Sequence, residues 1–300
     1  MTNATIDVFC IGHASYDLVF SVPKHPGEDE KTVADRLLGC GGGPAANAAI
    51  TVAKLGFSAA FAGYLGLDLY GETHFRELVD AGINTDWIVR GEAPTPLSAV
   101  LVKPDGKRAL VNYKGNTQAL PENTLDFRDA AVKAALFDGH EPYIALDFLR
   151  QRRDQQLATV LDAGSLHDGT RALLDQVTYL VASEKFALQY AGDEQAALSS
   201  LAEQAPVVVI TLGERGLIWR RGQETGTLSA PPVACVDSTG AGDAFHGAFA
   251  AAVASGMPWL ETLRYASAAG ALSCTQMGAR PSLPSRPEHQ HLLNHWIPAP

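Results

Sequence analysis

Seven residues carry the sharpest chemical signal in the chain: Asp237-Ser238-Thr239-Gly240-Ala241-Gly242-Asp243. They follow a strand-like stretch and open a helix rich in small residues, AFHGAFAAAVA. Glycines at a helix entrance let the backbone approach a ligand, and the unpaired N–H groups there, with the helix dipole, make an anion site. Charge developing on a transferred phosphoryl group is stabilised in such a place. Asp243 in the first turn could cap the helix, but a cap requires neither the two glycines nor the preceding Asp237. Beside an anion hole, its carboxylate can accept the proton of a hydroxyl that attacks a γ-phosphate, the general-base role of phosphoryl transfer.

A second glycine cluster, Gly41-Gly42-Gly43-Pro44-Ala45-Ala46-Asn47, satisfies the loose dinucleotide pattern GxGxxA. That pattern has meaning directly after a buried strand. Here the preceding EDEKTVADRLLGC is charged and poorly strand-like, and the first good strand lies well upstream. The better functional reading is a glycine platform where backbone groups and Asn47 touch a small polyol; a plain flexible turn is the bland one. There is no GxxxxGK[ST], so phosphates are not held by a P-loop. Thr211-Leu212-Gly213-Glu214-Arg215-Gly216 ends the strongest strand, where two glycines let a nucleotide lie against the backbone; a hairpin turn explains them equally well.

The elements that position these residues alternate. IDVFCIG reads as a buried parallel strand with His13 to Asp17 following at its carboxyl end, where ligands of α/β proteins gather. A helix runs from Pro44 to its stop at Gly56. A strand over 58–64, a helix over 70–80 closed by Gly82, and a strand near 87–89 come next. LSAVLVK and RALVNY flank Pro104-Asp105-Gly106-Lys107 and form a hairpin that stands off the main sheet. Strands near 132–138, 158–162, 178–182 and 207–212 resume the alternation. A second hairpin (GLIWRRG, GTLSAP) and two long helices over 239–255 and 258–274 complete it. The expectation is one doubly wound, mainly parallel α/β domain over 1–300, with a small β-lid from segments near 19–36 and 97–113.

Composition agrees with such a domain. Three hundred residues exceed the usual domain of about 100–200 residues, yet a large α/β sheet absorbs them. A 46% hydrophobic and 19% charged composition excludes disorder. The net charge of −10, without a Lys/Arg cluster, argues against nucleic-acid or anionic-membrane partners. No run reaches the roughly 18 apolar residues of a membrane span, and MTNATIDVF lacks the features of a signal peptide, so a cytoplasmic protein is expected. The four cysteines, Cys10, Cys40, Cys235 and Cys274, form no CxxC pair and are expected as buried reduced thiols.

Together these segments resemble the ribokinase-like carbohydrate kinases, the PfkB family. The likeness runs in order through Gly12–Asp17, GGGPAANAAITVAKLG, GYLGLDLYGETHFRELVDAGINTDWI, TLGERG, DSTGAGDAFHGAF and AAGALSCTQMGARPSLP. GGGPAA, SEKF and FHGA look most similar to the branch acting on 6-deoxy-6-sulfofructose, with ketohexokinase and ribokinase as broader relatives. The resemblance implies that Asp243 is the catalytic base and that Gly240, Ala241 and Gly242 form the anion hole. It implies that Asp17, Gly42, Gly43 and Asn47 bind sugar hydroxyls. Thr211, Gly213, Gly216 and Gly278 would line the nucleotide site, and Asp237, Thr239 and Ser282 would fall near a monovalent-cation (K+) site. Magnesium would arrive with ATP, held through water and phosphate, and a homodimer would form through lid edges.

Two departures bear on that pattern. The family's NxxE element near the phosphates reads Ser183-Glu184-Lys185-Phe186 here, with Glu184 left as a partial substitute. The sulfosugar branch is matched at Lys31 and Asn112, but where it carries an arginine for the sulfonate this chain has Asp138-Gly139-His140. His140 is a poorer anion partner than a bidentate arginine, and it also reads as an ordinary polar residue at a strand end. The expectation is therefore an ATP-dependent kinase acting on a primary hydroxyl of a neutral ketohexose such as fructose. The rivals are a 6-deoxy-6-sulfofructose kinase, a nucleoside kinase of the same fold, and a sugar-sensing protein that has lost the chemistry.

Overall fold

The computed structural model describes residues 5–153 and 155–298; residues 1–4, on which part of the expectation about a signal peptide rests, lie outside it. Strand β1 (Ile6–Ile11) points Val8 and Cys10 to one face of a sheet and Phe9 and Ile11 to the other, and all four are buried. A strand apolar on both faces needs cover on both, which the connections supply. The chain then forms β2 (Ser15–Ser21), β3 (Arg36–Gly42), α1 (Pro44–Lys54), β4 (Ala59–Gly66), α2 (Leu69–Asp80) and β5 (Asn84–Gly91). The hairpin β6 (Leu97–Val102) and β7 (Arg108–Tyr113) follows, then β8 (Val132–Phe137), α3 (Pro142–Gln151), β9 (Ala158–Ala163) and the single turn α4 (Asp168–Arg171). The chain continues through β10 (Tyr179–Ser183), α5 (Glu184–Ala191), α6 (Glu194–Leu201), β11 (Val207–Thr211), β12 (Leu217–Arg221) and β13 (Glu224–Leu228). It ends in α7 (Ala241–Ala254), α8 (Trp259–Ser273), α9 (Ala279–Ser282) and α10 (Arg286–His295).

Nine strands make the main sheet, in the order β13-β12-β11-β10-β9-β8-β1-β4-β5. Every pair is parallel except those made by the closing hairpin β12–β13. One face packs Phe9, Phe137, Phe148 and Phe186 in a cluster with Phe127, and the other packs Phe61, Phe245 and Phe249 with the alanine-rich sides of α1 and α7. Small residues bring α1 and α7 close enough that a Cβ at Gly247 would lie 2.5 Å from the Ala48 carbonyl. The sheet is thus doubly wound, with β1, third from one edge, as the strand from which the order runs both ways, to β4 and to β8.

The lid is a separate four-stranded sheet, β3-β2-β6-β7. It begins and ends differently from the expected segments: its first strands are Ser15–Ser21 and Arg36–Gly42, and the charged stretch between them is a connection. Asp17 therefore sits within a lid strand, and Gly41 and Gly42 end one. RLLGCGG has weak strand propensity, and packing overrides it. A Cβ at Gly39 would lie 3.0 Å from the Tyr16 hydroxyl and 3.1 Å from its ring, and one at Gly42 2.3 Å from the Asp17 carboxylate, so β2 side chains fill the space that β3 leaves. Val19, Val100 and Val102 are the lid's own core, closed by Leu38 and by Met277 from the loop before α9. Helix α7 starts two residues later than expected, because Gly240, at φ 81°, turns the chain into it. Cys10 and Cys40 are buried as expected, whereas Cys235 is exposed and Cys274 half-buried; all four thiols are free.

A buried carboxylate knots the sheet centre to the lid and to α1. Asp138, just past β8, accepts His13 N at 2.7 Å, Ala45 N at 3.1 Å and His140 N at 2.9 Å. Its room exists because residue 12 is glycine: a Cβ there would lie 2.1 Å from Asp138 Oδ1. Gly12→Ala should therefore lose about 2–4 kcal/mol of stability, the range of overpacking that breaks a buried hydrogen-bond knot. Urea unfolding checks this, and Gly27→Ala, at an exposed glycine where a Cβ would meet only the end of the Glu30 side chain at 3.4 Å, is the contrast.

Candidate active site

The N-terminus of α7 faces a cleft between sheet and lid. Gly240 is the N-cap and no side chain caps the helix, so Asp243 is not spent on capping. The N–H groups of Gly242 and Asp243 precede that of Ala244, which bonds Gly240 O at 2.8 Å. Gly242 is exposed, and a Cβ on it would find only the His246 ring, at 3.8 Å or beyond. Asp237 holds this turn: its Oδ1 accepts Thr239 N (2.9 Å) and Oγ1 (2.6 Å), and its Oδ2 accepts Gly278 N (2.8 Å). Asp237, Thr239, Gly278 and Ser282 do converge on two adjoining loops. The Ser282 hydroxyl, however, turns to Ala279 O, and the Asp237 carboxylate already serves three protein donors, so these contacts form a tie between loops rather than an open cation cage.

Asp243 Oδ2 accepts a hydrogen bond from Asn47 Nδ2 at 2.7 Å. Burial raises its pKa; the Asn47 bond, His246 and Arg108 pull it back, and the charge of Asp138 pushes it up again. Behind it, His246 Nδ1 lies 2.5 Å from Gly242 O and 3.2 Å from Asp162 Oδ2, and Nε2 lies 3.2 Å from Val181 O. Burial drives Asp162 well above the carboxylate range, with the charges of Asp243 and Asp138 adding to it. Arg108, the first residue of β7, reaches out of the lid to Ser238 Oγ (3.2 Å) and Thr239 Oγ1 (3.3 Å). Sequence reasoning missed it. Its position directly after a hairpin turn in the lid was the available signal.

The glycine platform lies alongside. Asp17 accepts the Ser15 hydroxyl at 3.0 Å; burial pushes its pKa up to about 6, against hydrogen bonds from Ser15 and Ser98 and with the charge of Asp243 adding to the rise. Gly43, at φ 93°, presses on the His13–Ala14 backbone, where a Cβ would be 2.5 Å from His13 O. Asp17, Gly42, Gly43 and Asn47 are thus brought to one wall, next to Asp243. At its far end the cleft is lined by His13, Tyr64, Lys114, Gln118, His140 and Glu141. His140 stacks on His167 (ring centroids 4.7 Å) and lies tilted against His13 (5.1 Å). Lys31 and Asn112 are exposed; the cation lining the cleft beside His140 is Lys114, which sequence reasoning did not single out.

At the other end, Thr211 closes β11 and Gly213–Arg215 form one 3₁₀ turn. Gly213, at φ 59°, has open space where its Cβ would be, as a ligand-facing glycine should. Gly216 is different: a Cβ there would lie 2.0 Å from Leu228 O, so the β12–β13 hairpin requires this glycine whatever binds nearby. Ser183 caps α5 through Phe186 N (3.0 Å) and donates to Gly164 O (2.9 Å), which occupies its hydroxyl. Glu184 is half-open and paired with Arg215 at 3.0 Å.

A mainly parallel, doubly wound sheet with a β-lid closing over a glycine-opened helix N-terminus and its aspartate defines the ribokinase-like class of kinases. Residues 5–286 match the pfkB family carbohydrate kinase pattern, and the chain belongs to that family. It is an ATP-dependent carbohydrate kinase. It is 28% identical over 292 residues to the ribokinase of Bacillus subtilis, covering 96% of this chain and 99% of that one. It is also 28% identical to probable fructokinase-5 of Arabidopsis thaliana, over 84% of this chain and 87% of that one. Among solved structures, a putative ribokinase from Agrobacterium tumefaciens superposes with a TM-score of 0.91 at 29% identity, covering 98% and 99% of the two chains. Arabidopsis thaliana ribokinase complexed with ribose and ATP gives 0.84 at 27% identity, covering 98% and 100%. These relatives establish the family and not the narrower sulfosugar or ketohexokinase branch.

The open space at Gly242 sets a clean test. Gly242→Val should fold with an unchanged melting temperature and bind sugar within about twofold of the parent, while phosphoryl transfer is lost, because the branched side chain fills the approach to the helix N-terminus. Calorimetric sugar titration beside an ADP-release assay separates the two effects; lost sugar binding with surviving turnover would place the phosphate elsewhere.

Proposed function

We propose that this chain transfers the γ-phosphoryl group of ATP to a primary hydroxyl of a neutral ketohexose, with fructose as the first substrate to test. The observation that carries the reading is Asp243, hydrogen-bonded to Asn47 beside the open Gly242 and next to the Asp17 wall. Asp17, Gly42, Gly43 and Asn47 hold the sugar hydroxyls, and Asp243 takes the proton of the attacking one. The N–H groups of the Gly240–Gly242 turn and Arg108 meet the charge on the phosphoryl oxygens. Magnesium, when bound with the nucleotide, neutralises phosphate oxygens, and Glu184 is the hard-oxygen side chain by Thr211 that would hold its water shell. Gly213 and Gly278 border the nucleotide. The lid keeps water from the phosphate. No step of this reading uses K+.

The far end of the cleft favours an uncharged sugar. Burial, with His140 and Lys114 adding to it, drives His13 down to about 3; burial lowers His167 as well; and burial pushes Glu141 up to about 8. Lys114 is the one lysine or arginine among the residues lining that end, where a sulfonate would want a two-toothed arginine. Losing one charge-assisted bond costs about 1.5–3 kcal/mol, or roughly ten- to a hundredfold in binding. ADP release with ketoses, aldoses and nucleosides is the test. Fructose should exceed 6-deoxy-6-sulfofructose in kcat/KM, and Asp243→Asn should keep sugar binding while kcat falls about 10²–10⁴-fold. A sulfosugar preference above tenfold rejects the neutral reading.

We also infer a homodimer through the lid. Val111 (69% exposed), Leu37 (63%) and Tyr113 (56%) leave apolar surface on its outer strands β3 and β7. Sedimentation at micromolar concentration should show a dimer, and Val111→Arg a monomer; a monomeric parent chain refutes the interface.

A further inference from the structure

Beneath the glycine platform lies a charged group that the catalytic reading does not use. Arg280, on the one-turn helix α9, is only 8% exposed. Its Nη2 is 2.9 Å from His74 Nε2, and its Nη1 is 3.8 Å from Glu77 Oε2, while that same carboxylate oxygen accepts Gly41 N at 2.9 Å. A guanidinium only donates, so His74 accepts at Nε2 and carries its proton on Nδ1. The remaining polar edge is Nε, which donates to Asn47 Oδ1 at 3.3 Å. The other end of that amide, Nδ2, donates to Asp243 at 2.7 Å. A hydrogen-bonded row thus runs from α9 through the first turn of α1 to the first turn of α7.

We propose that Arg280 is a positioning residue for the base: a donor-only group on one side of Asn47 dictates which end of the amide faces Asp243. This rests on the reading of Asp243 as the base. An amide is nearly symmetric in shape, and either end fits its slot. With Arg280 present, Oδ1 must face the guanidinium and the N–H must face the carboxylate. A residue that both donates and accepts, such as glutamine, removes the dictate. The flipped amide then sets an oxygen against the Asp243 carboxylate and disfavours its charged form. The buried positive charge of Arg280 acts in the same direction as the orientation it imposes.

The charged and titratable groups around Asp243 are Asp17 from β2, Arg108 from β7, Asp138 after β8, Asp162 on β9 and His246 on α7 itself. The charge of Arg280 also lowers Asp17, so Arg280→Lys, which keeps that charge, is the control for it, and the Asp243 carboxyl is read directly. The experiment reads the carboxyl carbon of Asp243 by ¹³C NMR in aspartate-labelled protein without sugar or nucleotide, assigned by its loss in Asp243→Asn. It is paired with the pH profile of kcat on whichever sugar the parent chain turns over best. Arg280→Gln should move the Asp243 titration and the acid limb of kcat up by about one pH unit. Arg280→Lys, still donor-only, should leave both near the parent values even if kcat falls. Asn47→Asp keeps Arg280 but removes the donor, and it should raise the titration whether or not Arg280→Gln folds; the double variant should move it by less than the sum of the two single shifts, because the orienting effect can be lost only once. A folded Arg280→Gln with the parent titration, or an Asn47→Asp that leaves Asp243 unmoved, overturns the proposal. A parent chain that phosphorylates no sugar would overturn the kinase reading instead, and the NMR titration would still decide the positioning role.

Discussion

One constraint governs the site: to act as the proposed base, Asp243 must carry negative charge inside a walled cleft that holds three other carboxyl groups, those of Asp17, Asp138 and Asp162. Water cannot supply the compensation there, so the protein does. The first turn of α7 offers its positive end, Asn47 a hydrogen bond, and Arg108 a full charge from the lid. The competing acids are dealt with individually. Asp138 is saturated by three backbone N–H groups. Burial pushes Asp162 well above the usual carboxylate range, toward its neutral form, and pushes Asp17 up to about 6.

This explains why the lid is more than a cover. Its β2 strand sets Asp17 against Gly42, and its β7 strand brings Arg108 to Ser238 and Thr239 before α7, so one sheet presents both. The lid rests on the loop before α9 through Met277, and through Leu38 where a Cβ on Gly278 would meet it at 2.5 Å. Gly278 in turn donates to Asp237 at the entrance to α7. Lid position and anion-turn geometry therefore share a single loop.

Much of the architecture was legible because the main-sheet strands are long apolar runs and the α1 and α7 helices begin at Pro or Gly. VVVIT, IDVFCI and the hairpin around Pro104–Lys107 form as their residues dictate. Strand β3 was illegible, since its glycines are strand-poor and only Tyr16 and Asp17 on the neighbouring strand make sense of them. In the site, the DSTGAGD turn and the GGGPAAN wall were readable from local spacing. Arg108, Arg280, Lys114 and the histidine stack were not, for each acts through a partner far away in sequence: Arg280 meets Asn47 across a separation of 233 residues. Gly216 carries a second constraint that spacing alone does not reveal. A glycine at a plausible ligand position is required there by a backbone contact within its own hairpin.

The parallel pairing of β2 with β6 has a consequence for how the molecule assembles. Val19 aligns with Val100, and between them in the chain lie β3, α1, β4, α2 and β5. The lid therefore closes a long loop and cannot be complete until β6 has emerged and found β2, whereas β1 and β4 pair over a shorter span. The helix turn and the nucleotide edge belong to the main sheet, but the seats of Asp17 and Arg108 do not. All four lid strands nevertheless lie within residues 15–113, so a newly made chain has the seats of Asp17 and Arg108 in hand before the turn at Gly240–Gly242 exists, and the opening of α7 is added to a lid already able to close over it.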